Sequence, residues 1–241
     1  MSSAPKQGRN SGVDEMRLLQ FAHITKTAGT SIEVLAKSNG VLWGCENRAL
    51  WSRLSQGSRH PNRTGDPWHL PVSFVEEQML NELLESTDLF CVVRNPYERV
   101  VSEYYCHWGS QYVVDLSKIN SDDIDSFNDN LLASLCRLKA LRVAGSAQCL
   151  GHWQEQNLYF MKNGRYLMPK ENVIRYEQID VDLSGVFSRY GYSFGPMGQR
   201  VRVRSYPKKF SGNDLRQDVI AMVNELYQKD FVELGYGMLS G

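Results

Sequence analysis

Residues 21–31 read FAHITKTAGTS: one lysine among threonines, an alanine, a glycine and a serine, directly after the apolar run LLQFAHI at 18–24. The next residues, SIEVLAKS at 31–38, place Ile32, Leu35 and Ala36 at helical spacing. The stretch predicts a strand, a small-residue turn and a helix. Such a turn offers backbone N–H groups and the positive end of a helix dipole, which suit a phosphate or sulfate. Lys26 adds a full charge, and Thr27, Thr30 and Ser31 add hydroxyl donors. A nucleotide-triphosphatase loop would read GxxxxGK[ST], with lysine after the second glycine. Here the lysine comes first. Taken alone, the loop fits a capped strand-to-helix turn with no ligand equally well.

A second strand-to-helix junction supplies the context. LFCVV at 89–93 reads as a buried strand, and RNPYERVVSEYYCHW opens with Asn-Pro, a helix-start signature. A magnesium-dependent phosphotransferase would commonly end such a strand in an aspartate near the metal. This one ends in Arg94, whose guanidinium suits bidentate binding of phosphate or sulfate, with Ser102 two helical turns further on. The alternative is that Arg94 pairs with Glu98. Two strand ends that each carry cationic donors, neither with an obvious metal carboxylate, point to a doubly anionic nucleotide held without metal.

The rest of the chain predicts a third strand within ENVIRYEQI at 171–179 and helices in FVEEQMLNELLES (74–86), DSFNDNLLASLCRLKAL (125–141) and DLSGVFSRYG. One long final helix is expected near NDLRQDVIAMVNELYQKDFVELG, and one short helix around ALWSRL in an otherwise irregular 44–72 segment. LYFMKNG falls between turns. Strands alternating with helices predict a three-layer α/β fold: a central parallel sheet flanked by helices, with ligands at the strand carboxyl ends. Residues 1–16 are expected to be a flexible polar tail and 17–241 a single domain.

Composition bounds the function. Among 241 residues, 27 basic and 27 acidic side chains cancel, so the overall balance gives no pull toward nucleic acid and any anion site is local. Five irregularly spaced cysteines, without a CxxC pair, suggest neither a disulfide framework nor zinc. Five histidines without regular spacing add no metal site. No signal-peptide core and no run of eighteen apolar residues stands in the chain. The expectation is a protein without a membrane anchor, in the cytoplasm, or in the Golgi lumen if an anchor precedes it.

At this point the residues resemble the sulfotransferases that use 3′-phosphoadenosine 5′-phosphosulfate (PAPS), most closely their carbohydrate-type, Golgi-type branch. HITKTAGTSIE is similar to the 5′-phosphosulfate loop H-[IV]-P-K-T-[GA]-G-T-S, and VVRNPYERVVSEYY to the 3′-phosphate segment R-[ND]-P-x-x-R-x-x-S. VIRYEQID with its following Gly-Tyr turn and the ending ELYQKDFVELGYG extend the likeness over roughly residues 18–237. The resemblance implies that Lys26 contacts the bridging oxygen and that the backbone at Thr27, Ala28, Gly29, Thr30 and Ser31 holds the 5′-phosphate. Arg94 and Ser102 would take the 3′-phosphate, and Arg204, Tyr206, Lys208 or Lys209 of RVRVRSYPKKF would close over the nucleotide, whose product form is 3′-phosphoadenosine 5′-phosphate (PAP). Thr25 stands where the pattern has proline and Ala28 where glycine is frequent. The first is expected to change only loop stiffness, and the second implies an ordinary backbone conformation at residue 28.

Sulfuryl transfer needs a base for the incoming hydroxyl or amine. His69, in DPWHLPVSF, is the preferred candidate because its ordinary pKa is near neutrality, and Glu33, on the helix leaving the loop, competes with it. His23 is expected to be a packed strand residue, and His107 and His152 either pack or line an acceptor pocket. The five tryptophans fall largely outside the expected strands, where they stack on sugar rings or anchor loops. The implied acceptor is a small metabolite or a carbohydrate. A magnesium-ATP nucleotide kinase of related fold and a non-catalytic nucleotide-binding protein are the competing classes.

Overall fold

The computed structural model describes residues 17–58, 66–106, 113–145, 151–194 and 208–241. Arg204, Tyr206, His107 and the 1–16 tail lie outside them.

Strand β1 (Leu18–Phe21) leads through the loop at 22–28 into α1 (Gly29–Ser38), and α2 (Arg48–Gln56) and α3 (Glu77–Ser86) follow. Strand β2 (Thr87–Val93) feeds α4 (Pro96–Tyr104), and α5 (Ile124–Val143) is the longest helix. A two-stranded hairpin, β3 (Met161–Lys162) with β4 (Arg165–Tyr166), precedes β5 (Val173–Arg175) and α6 (Ile179–Arg189). The chain closes with α7 (Gln217–Leu226) and α8 (Gln228–Leu234).

The central sheet has the order β1-β2-β5, with both neighbouring pairs parallel. Leu18 pairs with Thr87 and Phe21 with Phe90, and Val93 pairs with Arg175. Strand β2 is aromatic and β-branched and is buried on both faces, as a middle parallel strand requires. Its alternation divides the core. Leu89, Cys91 and Val93 pack with Trp51, Leu54, Leu80 and Leu83 of α2 and α3. Phe90 and Val92 pack with Ile32 and Ala36 of α1 and Leu183 and Val186 of α6. Helix, sheet and helix form the three layers, and a further cluster joins α4, α5, α7 and α8 through Val101, Leu131, Leu135 and Val223.

The sequence expectation differs from the structure in the first strand and in the last helix. Strand β1 ends at Phe21 rather than reaching Ile24, although Ala22 still donates to Phe90 O at 2.9 Å. The expected final helix is two, because Tyr227 leaves helical geometry at φ −122° and ψ 22°. After that break, Asp230 is fully buried and accepts from Gln156 N, Asn157 N and Asn157 Nδ2, each at 2.8 Å. Segment 158–164, expected to fall between turns, enters the β3–β4 hairpin. Its strands are two residues long, too short for period-two alternation to register.

Because the three strands are parallel, their carboxyl ends share one edge. The loop at 22–28, the Arg94-Asn95 junction and the Tyr176–Gln178 turn meet there: Arg94 lies over the Tyr176 ring at 4.5 Å, and Asn95 N donates to Glu177 Oε1 at 2.9 Å. No helix among the described residues is long and apolar enough to cross a membrane.

Candidate active site

Helix α1 starts without the usual devices. Asn95 caps α4 by accepting from Tyr97 N at 3.0 Å, and Asp123 caps α5 by accepting from Ser126 N at 2.8 Å. The residue in the cap position of α1 is Ala28, with no side-chain hydrogen bond and no acidic residue in the first turn. A helix N-terminus in this state presents unsatisfied donors and positive potential to the loop side.

The loop is wound tightly to do so. Lys26 has φ 64° and Ala28 φ 76°, both left-handed, which corrects the expectation of an ordinary conformation at Ala28. A side chain there costs about 1–2 kcal/mol. Thr27 is buried and spends its hydroxyl on Ile24 O at 2.8 Å, so its contribution to a ligand is limited to the main chain. Thr30 is exposed, and Ser31 and Lys26 are half-buried.

Thr25 does far more than replace a stiff proline. Its hydroxyl donates to the Glu103 carboxylate, with Gly151 O at 3.1 Å, and it accepts from Arg99 Nη2 at 3.2 Å. Arg99 Nε also donates to Thr25 O at 3.1 Å, and its guanidinium lies 3.5 Å from Glu103. Arg99 and Glu103 are each 1% exposed. A buried ion pair is stable only with its remaining polar valences satisfied. Here Thr25, Gln154 O and His152 satisfy them, so α4 is pinned under the loop.

Three imidazoles gather beside Lys26. The His69 ring lies edge-on to His23 at 4.5 Å and to His152 at 5.3 Å. Burial, followed by the neighbouring His23, His152 and Lys26, holds the His69 pKa well below its ordinary value, so its ring is neutral at pH 7. Gly151 makes this approach possible: it has φ +83°, and a Cβ there would lie 2.4 Å from His69 Cβ. The Tyr159 hydroxyl bridges the same two residues, 2.8 Å from His69 O and 3.0 Å from Gly151 O.

Glu33 is occupied elsewhere. Its Oε1 lies 2.7 Å from His23 Nδ1 and accepts from Cys45 N at 2.8 Å, and Oε2 accepts from Cys45 Sγ at 3.1 Å. Burial pushes the carboxyl up, but His23 and Cys45 outweigh it and the net shift is downward. A buried carboxylate with these partners orients His23, and that is a weaker position for a base than the one His69 holds. His23 is packed and hydrogen-bonded, as expected.

The residues expected on the nucleotide side are brought together only in part. Arg94 pairs with Glu98 at 3.0 Å, the structural alternative, yet its Nε is buried without a hydrogen-bond partner among the described residues. Ser102 is buried on α4. Lys208 is solvent-accessible but crowded by protein. Desolvation, then Arg94, lower its pKa to about 8, with Lys26 adding to the effect. Lys209 turns instead to Asn120 O at 2.6 Å and Asp122 at 2.5 Å, so it is not brought to the loop. Trp43, Trp51 and Trp153 are fully buried, Trp43 and Trp153 on loops and Trp51 on α2. Trp68 stays half-buried beside His69, with Arg48 over its ring at 5.2 Å.

Sequence reasoning passed over Arg99, Glu103 and Cys106. The pair Arg99 and Glu103 stands four apart in ERVVSEYY, a spacing that usually marks a solvated helix face. Their burial follows from α4 lying under the loop, which no local pattern records.

A small-residue loop that holds Lys26 and runs into an uncapped helix at the carboxyl edge of a parallel sheet marks the candidate site of this three-layer α/β protein. The model of the sulfotransferase family matches residues 10–160, and the chain belongs to that family. No curated protein and no solved structure gives a significant match.

Proposed function

We propose that this chain transfers a sulfuryl group from PAPS to a hydroxyl, less favourably an amine, of a small metabolite or carbohydrate. The observation that carries the donor assignment is the uncapped start of α1 directly after Lys26, with Arg94 and Lys26 both acting electrostatically on Lys208. Burial first, then Arg94 and Lys26 against the opposing Glu98, disfavours the charge of Lys208, which suits a site that takes a polyanion. The unpartnered Arg94 Nε adds a buried donor. Strand β2 offers an arginine where a magnesium-dependent phosphotransferase would offer an aspartate. Glu103, on which Lys26 acts electrostatically, is already paired with Arg99 and His152.

PAPS would supply an activated sulfuryl group on a phosphate leaving group. The backbone from Thr27 to Ser31 and the hydroxyls of Thr30 and Ser31 hold the 5′ anion, and Arg94, Ser102 and Lys208 hold the 3′-phosphate. Lys26 stabilises the negative charge that grows on the leaving side. His69, neutral and beside Lys26, accepts the acceptor's proton at a ring nitrogen. Trp68 and Arg48 stand on the acceptor side of His69.

Calorimetric titration with PAP and with ATP, each with magnesium and with a chelator, tests the donor. Metal-independent binding of PAP, much tighter than ATP, is expected. A preference for magnesium-ATP would assign the loop to a triphosphate and overturn the reading.

A further inference from the structure

A second chain of polar groups runs away from the loop. Glu103, Cys106 and His152 bring a carboxylate oxygen, a thiol sulfur and a ring nitrogen within 4.8 Å of one another. His152 Nδ1 lies 2.9 Å from Glu103 Oε2, and the Cys106 sulfur lies within 4.8 Å of the ligand atoms of both. Cys106 follows the end of α4, with its N–H bonded to Glu103 O at 2.8 Å, and it keeps 6% of its surface exposed. The arrangement orders sulfur, imidazole and carboxylate as in nucleophile–base–orienter sets.

The same three groups form a donor set for a thiophilic divalent cation, but the surroundings oppose one. Glu103 already accepts from Thr25 and sits 3.5 Å from the buried Arg99, and the loop's Lys26 faces the cluster. A positive field favours an anion at sulfur. The charged and titratable groups acting on Cys106 are His152 and Lys26, which favour the thiolate, and Glu103, which opposes it.

We propose that Cys106 is a nucleophilic thiolate, paired with the His152 imidazolium and oriented through Glu103, and that it is a site of covalent modification by soft electrophiles. Electrostatics agree. Burial raises the thiol pKa, but His152 and Lys26 outweigh it and the net direction is down. His152 moves the other way: burial lowers it, and Glu103 and Cys106 more than reverse that. Buried Cys91 and half-buried Cys45 contrast with Cys106. Cys91 is pushed up by burial alone, and Cys45 is pushed up to about 12 by burial and by its bond to Glu33. With iodoacetamide, the Cys106 sulfur forms a bond to carbon as the carbon–iodine bond breaks and iodide leaves. The reaction uses no nucleotide, so its outcome is independent of the donor assignment.

The test is iodoacetamide labelling of the native full chain from pH 5.5 to 9, with peptide mass mapping to assign each site. Cys106 is expected to label with a rate that rises at lower pH than that of the exposed Cys136. His152→Gln is expected to slow Cys106 at pH 7 roughly tenfold. If that variant does not fold, the wild-type pH profiles decide alone. Labelling of Cys106 that is absent, or that tracks Cys136 in pH, overturns the proposal. Labelling blocked by one equivalent of zinc and insensitive to pH makes the cluster a metal site and overturns it as well.

Discussion

A Cβ added to Gly29 would lie 2.1 Å from His23 Nε2, so the first residue of α1 and the last histidine before the loop occupy one another's space. That histidine is held from its other nitrogen by Glu33 at 2.7 Å, one helical turn further on. The ring therefore has no room to yield, and the loop's return into α1 depends on the absence of a side chain at residue 29. Gly29→Ala is expected to destabilise the fold by about 1–3 kcal/mol through overpacking. Thermal unfolding of the variant measures it, and an unchanged Tm would show that His23 is free to move.

Ala28 carries the opposite expectation. Its left-handed conformation costs a side chain about 1–2 kcal/mol, against about 0.4–1 kcal/mol gained by restricting the unfolded chain. Ala28→Gly is thus expected to be neutral or to raise stability by up to about 1 kcal/mol. Denaturant titration would refute this if the variant were clearly less stable.

Loss of Lys26 should separate binding from chemistry. Lys26→Ala is expected to lower the transfer rate by about a hundredfold or more, because the charge it opposes grows only as the bond breaks. PAP binding should weaken far less. Turnover near the wild-type rate would remove the assigned role.

His69→Ala is expected to keep PAP binding and lose transfer. Because the folded His69 pKa is depressed, the base stays neutral below its ordinary 6.5, and the acid limb of the wild-type rate profile should fall below that pH. A limb at or above 6.5 would assign the base to another group.

Lys208 links nucleotide affinity to pH. Its free-state pKa of about 8 means that the cation is present below that pH and lost above it. PAP affinity should weaken as pH rises through about 8, and Lys208→Gln should remove that dependence. An identical profile in the variant would place Lys208 outside the site.

The His152 and Glu103 pair makes stability depend on pH. His152 is raised from 6.5 to about 9, so its contribution is fully present below 6.5 and is lost as pH rises through about 9. Glu103 is lowered, so its contribution is present above about 4.5 and is lost under stronger acid. Tm is expected to decline between pH 6.5 and 9, with a smaller slope in His152→Gln. A flat wild-type profile would show that the pair is not coupled to folding.

Much of this protein follows from local pattern. The order of strands and helices, the loop after β1 and the arginine after β2 are legible because apolar periodicity and turn chemistry act over a few neighbouring residues. The likeness to sulfotransferases rests on those same two junctions, and the family match agrees with it. What the sequence left open are contacts between segments far apart in the chain. Thr25 reads as a softened proline until Glu103, 78 residues on, accepts its proton. His152 reads as packing until the same carboxylate holds its ring, and Glu33 competes with His69 until His23 and Cys45 are seen to occupy it. The break at Tyr227 has the same origin: local propensity favours one helix, and the buried bonds of Asp230 to residues 156 and 157 oppose it. Local sequence determined the elements and the loop after β1, because propensity and patterning are short-range. Tertiary structure alone decided which polar groups share a buried space, and burial with its partners sets their charge.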